Sequence, residues 1–210
     1  MTQRTVLALD LSTPHGQLAV VRGQAVLFER EFVSDRSHNS MLYAPLAEAL
    51  VACRDVLNLI AVGVGPGSYT GVRIAIAAAQ GVALSKKVPL LGWSSLATLS
   101  DAVQYQVVGD ARRGQAYHAK VNGQRLLSLE VLPMSGLASA VQAELPAYTA
   151  DLTVPSGFES AQLVLPSAKR LGLIVAALDH AELEHLAQQH LEPHYVQEAF
   201  ITEPKKRGLG

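Results

Sequence analysis

The chain has 210 residues, of which 49% are hydrophobic and 17% charged, with a formal net charge of −1. That is enough apolar material for one large core or two modest ones, and the lack of a basic excess argues against tight nucleic-acid binding by this chain alone. Cys53 is the only cysteine, which excludes an internal disulfide and a cysteine-based metal cluster. With no secretory h-region and no apolar run of membrane-spanning length, a soluble cytoplasmic protein is expected.

In chain order, Thr5 to Leu11, Gln17 to Val21 and Ala25 to Val33 read as three strands, with Arg22-Gly23-Gln24 turning between the second and third. A helix is predicted from about His38 to Arg54. It puts Leu42, Leu46, Ala49, Leu50 and Cys53 on one stripe and leaves Met41, Tyr43 and Pro45 off it. The strand Ile60 to Val64 follows, stopped by Gly65-Pro66-Gly67, and Ser68 is placed to cap a helix from Gly71 to Leu84. That helix is apolar nearly all round and carries Gly71, Ala75, Ala77, Ala78, Ala79, Gly81 and Ala83. It is therefore expected to be buried on more than one side, with its small residues letting a neighbouring helix approach.

The second half repeats the order. Gln106 to Gly109, Gln115 to Val121 and Gln124 to Val131 read as strands, with Asn122-Gly123 a two-residue hairpin signal. A helix near Leu137 to Leu145, a short strand Leu152 to Val154 and a helix Ser167 to Leu178 are expected next. Two βββαβα units in tandem fit an α/β fold of the duplicated actin-like type (sugar kinase, Hsp70), the second unit reduced. The lobes are expected over residues 1–100 and 101–202, dividing near Leu99 to Gln104, with 203–210 a disordered end carrying Lys205-Lys206-Arg207.

The turn at Gly65 to Ser68 joins strand and helix at one point. Glycines there let another backbone or a phosphate approach, and the first helical amides are unpaired. An anion site and a tight turn that packs helix against sheet both satisfy this pattern. No Lys-Ser or Lys-Thr follows the glycines, so it is not a Walker A loop, and the spaced glycines of a dinucleotide fingerprint are missing. No Gly-x-Ser-x-Gly elbow marks a nucleophile. The residues support binding better than catalysis, and no catalytic residue is expected.

Gly65 to Ala75, Gly-Pro-Gly-Ser-Tyr-Thr-Gly-Val-Arg-Ile-Ala, resembles the Gly-Pro-Gly-Ser-Phe-Thr-Gly-Leu-Arg-Ile-Gly signature of the TsaB (YeaZ) family. Leu7 to Thr13, Ser37-His38-Asn39-Ser40, Asp110 to Gly114 and Leu191 to Tyr195 agree with that family in order, so the resemblance spans almost the whole chain. The departures are Tyr69, Val72 and Ala75 for Phe, Leu and Gly, and Tyr195-Val196-Gln197 where the family commonly has Tyr-Leu-Arg.

The resemblance implies the actin-like fold and an accessory role in making threonylcarbamoyladenosine in bacterial tRNA. The implied protein is a non-catalytic scaffold and dimerisation subunit. It would pair with a second copy or with the catalytic subunit TsaD, and through TsaD with the ATPase TsaE, for transfer of a threonylcarbamoyl group to N6 of adenosine 37. tRNA would be met only within the complex, no cofactor would be required, and ATP or ADP is admissible at the complex interface. The implied partner face takes Met41, Pro45, Tyr69, Val72, Ala75, Ile76, Ala78 and Ala79, each of which would otherwise cover the chain's own sheet.

Likeness to actin-like ATPases makes Asp10, with Ser12 and Thr13, a vestigial or working phosphate site, the other reading being a turn carboxylate. The second hairpin has Asp110 but then Arg112, Arg113 and Gly114, and the place of the adenosine turn, Val154-Pro155-Ser156-Gly157-Phe158-Glu159, keeps one glycine. Catalytic relatives in the glycoprotease-like (M22) superfamily bind a metal through histidines one helical turn apart. His38 has Ser34 and Leu42 at those places, and Pro193 separates His190 from His194, so no metal is expected here. The alternative function is an actin-like ATPase or small-molecule kinase that uses Asp10 in the interdomain cleft.

Overall fold

The computed structural model describes residues 3–33, 38–54, 56–152, 154 and 158–196, with 38–40 described by backbone alone. A first unit runs β1 (Thr5–Asp10), β2 (His15–Arg22), β3 (Ala25–Val33), α1 (His38–Ala52), β4 (Leu59–Gly63), α2 (Tyr69–Lys86) and β5 (Leu90–Trp93). After a 3₁₀ turn at Ser95–Thr98, the second unit runs β6 (Gln104–Arg112), β7 (Gln115–Asn122), β8 (Arg125–Pro133), α3 (Leu137–Ala140), β9 (Ala147–Thr149) and β10 (Gln162–Leu163). Helices α4 (Ala168–Ala177) and α5 (His180–Ala187) follow.

Each unit forms a five-stranded sheet, ordered β3-β2-β1-β4-β5 and β8-β7-β6-β9-β10. In each, the first three strands pair antiparallel and the last two extend the sheet in parallel. The correspondence reaches single residues. β2 and β7 start one hundred residues apart, as do β3 and β8, and the irregularity at Val20/Val21 in one hairpin recurs at Lys120/Val121 in the other. A bulge at the same place in both units adds twist there and fits a duplicated α/β unit.

β1 is buried on both faces because both are covered. Leu7, Leu9, Leu18 and Val20 point to α1 and α2, while Val6, Ala8, Ala19 and Val21 point to a second core. That second core is shared: Tyr105, Val107, Tyr117 and Ala119 of the other sheet enter it, with Leu171 and Val175 of α4 between them. Strand alternation explains both sets, since successive side chains leave opposite faces. The Arg170 side chain locks α4 in place through Asp101 at 2.7 and 3.1 Å and the carbonyls of Thr98 and Leu99.

Several expectations are corrected. The strand expected at Leu152 to Val154 lies earlier, at Ala147–Thr149, where it can pair with β6. The helix expected over Leu137 to Leu145 is a single turn, Leu137–Ala140. The hairpin after β7 turns on Gly123 and Gln124, with φ of 55° and 63°, because Asn122 is still paired with Arg125. β5 and β10, short and parallel, carry no signal of their own. The helix Ser167 to Leu178 forms with Ser167 as its cap, but it covers β1, β2 and β4 of the first sheet rather than completing the second. The Pro155 to Gly157 part of the adenosine turn and the tail 203–210 lie outside the described residues.

Leu171 is fully buried in the shared layer. Leu171→Ala is expected to cost about 2–5 kcal/mol, read from the denaturant midpoint. Trp93 fluorescence and hydrogen exchange in β6 and β7 should lose protection together, since both sheets lean on this residue.

Candidate functional site

The turn after β4 is pressed onto the end of β1. Ser68 N donates to Ser12 O at 2.6 Å, and Ser68 Oγ accepts from Gly71 N at 3.1 Å, capping α2 as expected. A Cβ at Gly67 would stand 2.1 Å from Ser12 O, and one at Gly71 would stand 2.1 Å from Leu11 O. Both places therefore require glycine for close approach to a backbone. From the other side Ser95 Oγ accepts from Gly65 N at 3.0 Å, and His194 N donates to Val64 O at 2.7 Å.

Asp10 lies beneath this turn with 2% of its surface exposed. Its Oδ1 accepts from Ser12 N at 2.8 Å and Ser12 Oγ at 2.6 Å, whereas Oδ2 has no partner. Oδ2 is turned towards Gly63, where a Cβ would stand 2.0 Å away. Burial raises the Asp10 pKa above the ordinary 3.8, against the lowering effect of the hydrogen bonds from Ser12. Thr13 Oγ1 is engaged with the backbone of His15. The three residues named as a phosphate site are thus brought together and buried, with the Ser12 and Thr13 hydroxyls bonded within the hairpin turn and one Asp10 oxygen left without a partner. In the second unit Asp110 makes the same local bond, accepting from Arg112 N at 2.7 Å, but its side chain is exposed.

Beside the turn, α1 and α2 leave an open groove of about 800 Å³. Its walls come from two rows of α2 at spacing four, Tyr69-Arg73-Ala77-Gly81 and Thr70-Ile74-Ala78-Val82, and from Leu42, Tyr43 and Leu46 of α1. Of the residues expected on a partner face, Met41 and Tyr69 are exposed, and Pro45 and Ala78 are half-buried. Val72, Ala75, Ile76 and Ala79 are corrected to the chain's own core, where they pack with Leu9, Ile60 and Val62. Arg73, Ile74, Ala77 and Gly81 take their place on the open side. Because α2 is apolar on both sides, periodicity alone could not assign the rows. Among the described residues, no three His, Cys, Asp or Glu side chains converge to hold a metal. Nor is any described helix long and apolar enough to cross a membrane.

Comparison with known proteins places this geometry. The family model of "TsaD: tRNA N6-adenosine threonylcarbamoyltransferase" matches residues 33–131. YeaZ from Pseudomonas aeruginosa superposes with a TM-score of 0.68 at 26% identity, over 91% of this chain and 99% of that one. The chain is similar in fold and sequence to the TsaB (YeaZ) proteins. The tRNA threonylcarbamoyladenosine biosynthesis proteins TsaB of Escherichia coli and Bacillus subtilis are each 33% identical, covering 55% and 61% of this chain and 54% and 60% of theirs. An uncharacterized protein of Mycobacterium tuberculosis is 37% identical over 128 residues. The chain spans 58% of the length of that relative. In this TsaB-like chain the glycine turn at Gly65 to Gly71 is thus the clamp on the end of β1, and the groove lies along the helix that the clamp starts.

Two glycines in one helix should respond oppositely. Gly81→Ala meets open space and is expected to stabilise by about 0.5–1 kcal/mol. Gly71→Ala would meet the Leu11 carbonyl and is expected to destabilise by about 1–3 kcal/mol, both read from thermal or urea midpoints. Asp10 supplies a pH test. Its raised pKa means its contribution to stability is full below the ordinary 3.8 and is lost as pH rises through the folded value. Asp10→Asn should therefore gain on the wild type as pH is raised from below 3.8 to about 7, measured by urea titration at each pH.

Proposed function

We propose that this protein is a non-catalytic subunit in the synthesis of threonylcarbamoyladenosine in tRNA. It docks the catalytic subunit TsaD through the groove between α1 and α2, and through TsaD works with TsaE. The same face is open to a second copy of the chain. The observation that carries this reading is the groove itself: an open, largely apolar groove of about 800 Å³ in volume on the outside of two helices whose opposite rows already fill the core. The named relatives in threonylcarbamoyladenosine biosynthesis supply the pathway. Exposed apolar surface of this kind, lined by small residues, suits a helix laid into it, because little side-chain bulk separates the axes.

An ATPase centred on Asp10 is disfavoured by the same geometry. A carboxylate that organises a metal and an attacking water has to face a ligand, whereas Asp10 faces Gly63 and the Ser12 backbone. ATP turnover by the isolated protein that Asp10→Asn abolishes would overturn the non-catalytic reading.

Ala78 is half-buried on the groove side of α2, so arginine there projects into the groove while the core rows stay intact. Ala78→Arg is expected to leave the circular dichroism spectrum unchanged and to weaken TsaD binding by at least about tenfold, measured by titration of the purified subunits. A folded Ala78→Arg variant that binds TsaD as the wild type does would remove the groove from the interface.

A further inference from the structure

Each sheet ends on a nine-residue strand with no described strand paired to its outer side, β3 in the first and β8 in the second. Such an edge presents a row of unpaired N–H and C=O groups and accepts another strand unless something prevents it. Both edges share one preventive device, the bulge. It inserts Leu27 between Val26 and Phe28, and Leu127 between Leu126 and Ser128.

The second device, charge, is present on β3 alone. Its middle is Glu29-Arg30-Glu31, and each is held by a partner: Lys169 at 3.4 Å, Glu48 at 2.6 Å and His15 at 2.9 Å. Antiparallel pairing of two β3 strands over their full length would set Glu29 against its own copy. A register centred on Arg30 would set Glu29 against Glu31. The positions one hundred residues on, in β8, are Leu129, Glu130 and Val131. Leu127 and Val131 are 64% and 38% exposed, and no described backbone hydrogen bond outside the β7 ladder involves Leu126 to Leu132. Arg125, the one cation of the strand, is drawn to Glu182 and the Trp93 ring.

The pattern on β8 is complementary to itself. Leu127 and Val131 stand two positions either side of Leu129, the midpoint of the strand. Two β8 strands related by a two-fold axis at Leu129 set Leu127 of each against Val131 of the other, and Glu130 against the Ser128 hydroxyl, with no like charges opposed. All nine residues overlap in this register, and the contact closes on itself. A second copy supplies the matching strand by identity. We propose that β8 is a self-pairing edge, through which two copies join their five-stranded second sheets about an axis at Leu129. This surface is separate from the groove, which lies on the helices of the first sheet, so the inference does not depend on what docks there.

The test places Ala78→Arg in every chain, so that contacts through the groove are blocked, and follows self-association by sedimentation. A closed dimer is expected. Adding Leu127→Lys or Val131→Lys should weaken it at least about tenfold with the circular dichroism spectrum unchanged. Register is read by cross-linking chains that carry Leu127→Cys or Val131→Cys, with the buried Cys53 as the common background. Under mild oxidation the mixture of the two should give a covalent dimer and each alone should not, because only unlike positions face each other. In the otherwise wild-type chain, Val131→Lys should bind TsaD unchanged, which keeps this inference apart from the docking reading. An Ala78→Arg chain that stays monomeric overturns the inference, as does a mixture that cross-links no better than the single variants. Open-ended polymers, the product of β8 pairing with β3, would overturn it too, and so would loss of TsaD binding in Val131→Lys.

Discussion

The contact of the Gly65 to Gly71 turn with the carbonyls of Leu11 and Ser12 is the constraint on which the first half of the molecule depends. It fixes the start of α2 against the end of β1, and so fixes the rotation of α2 about its own axis. From that rotation follows which rows of α2 face the sheet and which face outward. With methyl groups at both glycines the helix would have to stand off the strand, and the Ser68 to Ser12 hydrogen bond would be broken. The same turn receives the C-terminal segment on its far side, through His194 and Val64. The N-terminal strand, the signature turn and the C-terminal residues are therefore one packing unit.

Comparison of the two units shows where duplication has been kept and where it has been abandoned. The hairpins agree in register and in the place of their bulge. The helices do not agree: α1 has 15 residues and α3 has 4. A four-residue helix cannot cover the face of a five-stranded sheet, and α4, which could help, is instead laid on the first sheet, where Gly172 lets it approach Val21. The layer that results joins the two sheets through one core, reinforced at its edge by Trp93, which donates to Gln124 O at 3.0 Å and lies under Arg125. Among the described residues only the first sheet carries two full helices on its outer face, and the groove lies between them.

Asp10 illustrates how the surroundings of a residue are set by the fold. At the end of a first strand, followed by two hydroxyl residues, it has the sequence of a phosphate-handling hairpin. In the fold it is buried beneath the glycine turn, with Oδ1 held by Ser12, Oδ2 without a partner and a raised pKa. Arg73 is a second case. In the signature it reads as one conserved-looking letter among glycines, but its stacking on Tyr69 and its bond to Tyr195 set a fixed cation beside an apolar surface.

The sequence by itself determined the strands of both hairpins, the two long helices of the first unit, the Ser68 cap and the likeness to the TsaB (YeaZ) proteins. These are set by local periodicity, turn chemistry and one specific motif, all carried by residues close together in the chain. It did not reveal β5 and β10, because short parallel strands have no alternation to read. Nor did it reveal the destination of α4, because an amphipathic helix does not specify which sheet it will cover. The inward and outward rows of α2 were equally hidden, since Val72, Ile76 and Ala79 on one side and Ile74, Ala77 and Ala78 on the other are alike in hydrophobicity. The meeting of Arg73 with Tyr195, residues separated by 122 positions, was decided only by tertiary structure. Local sequence sets the conformation of a segment, whereas which of its surfaces remains open depends on every other segment that packs against it.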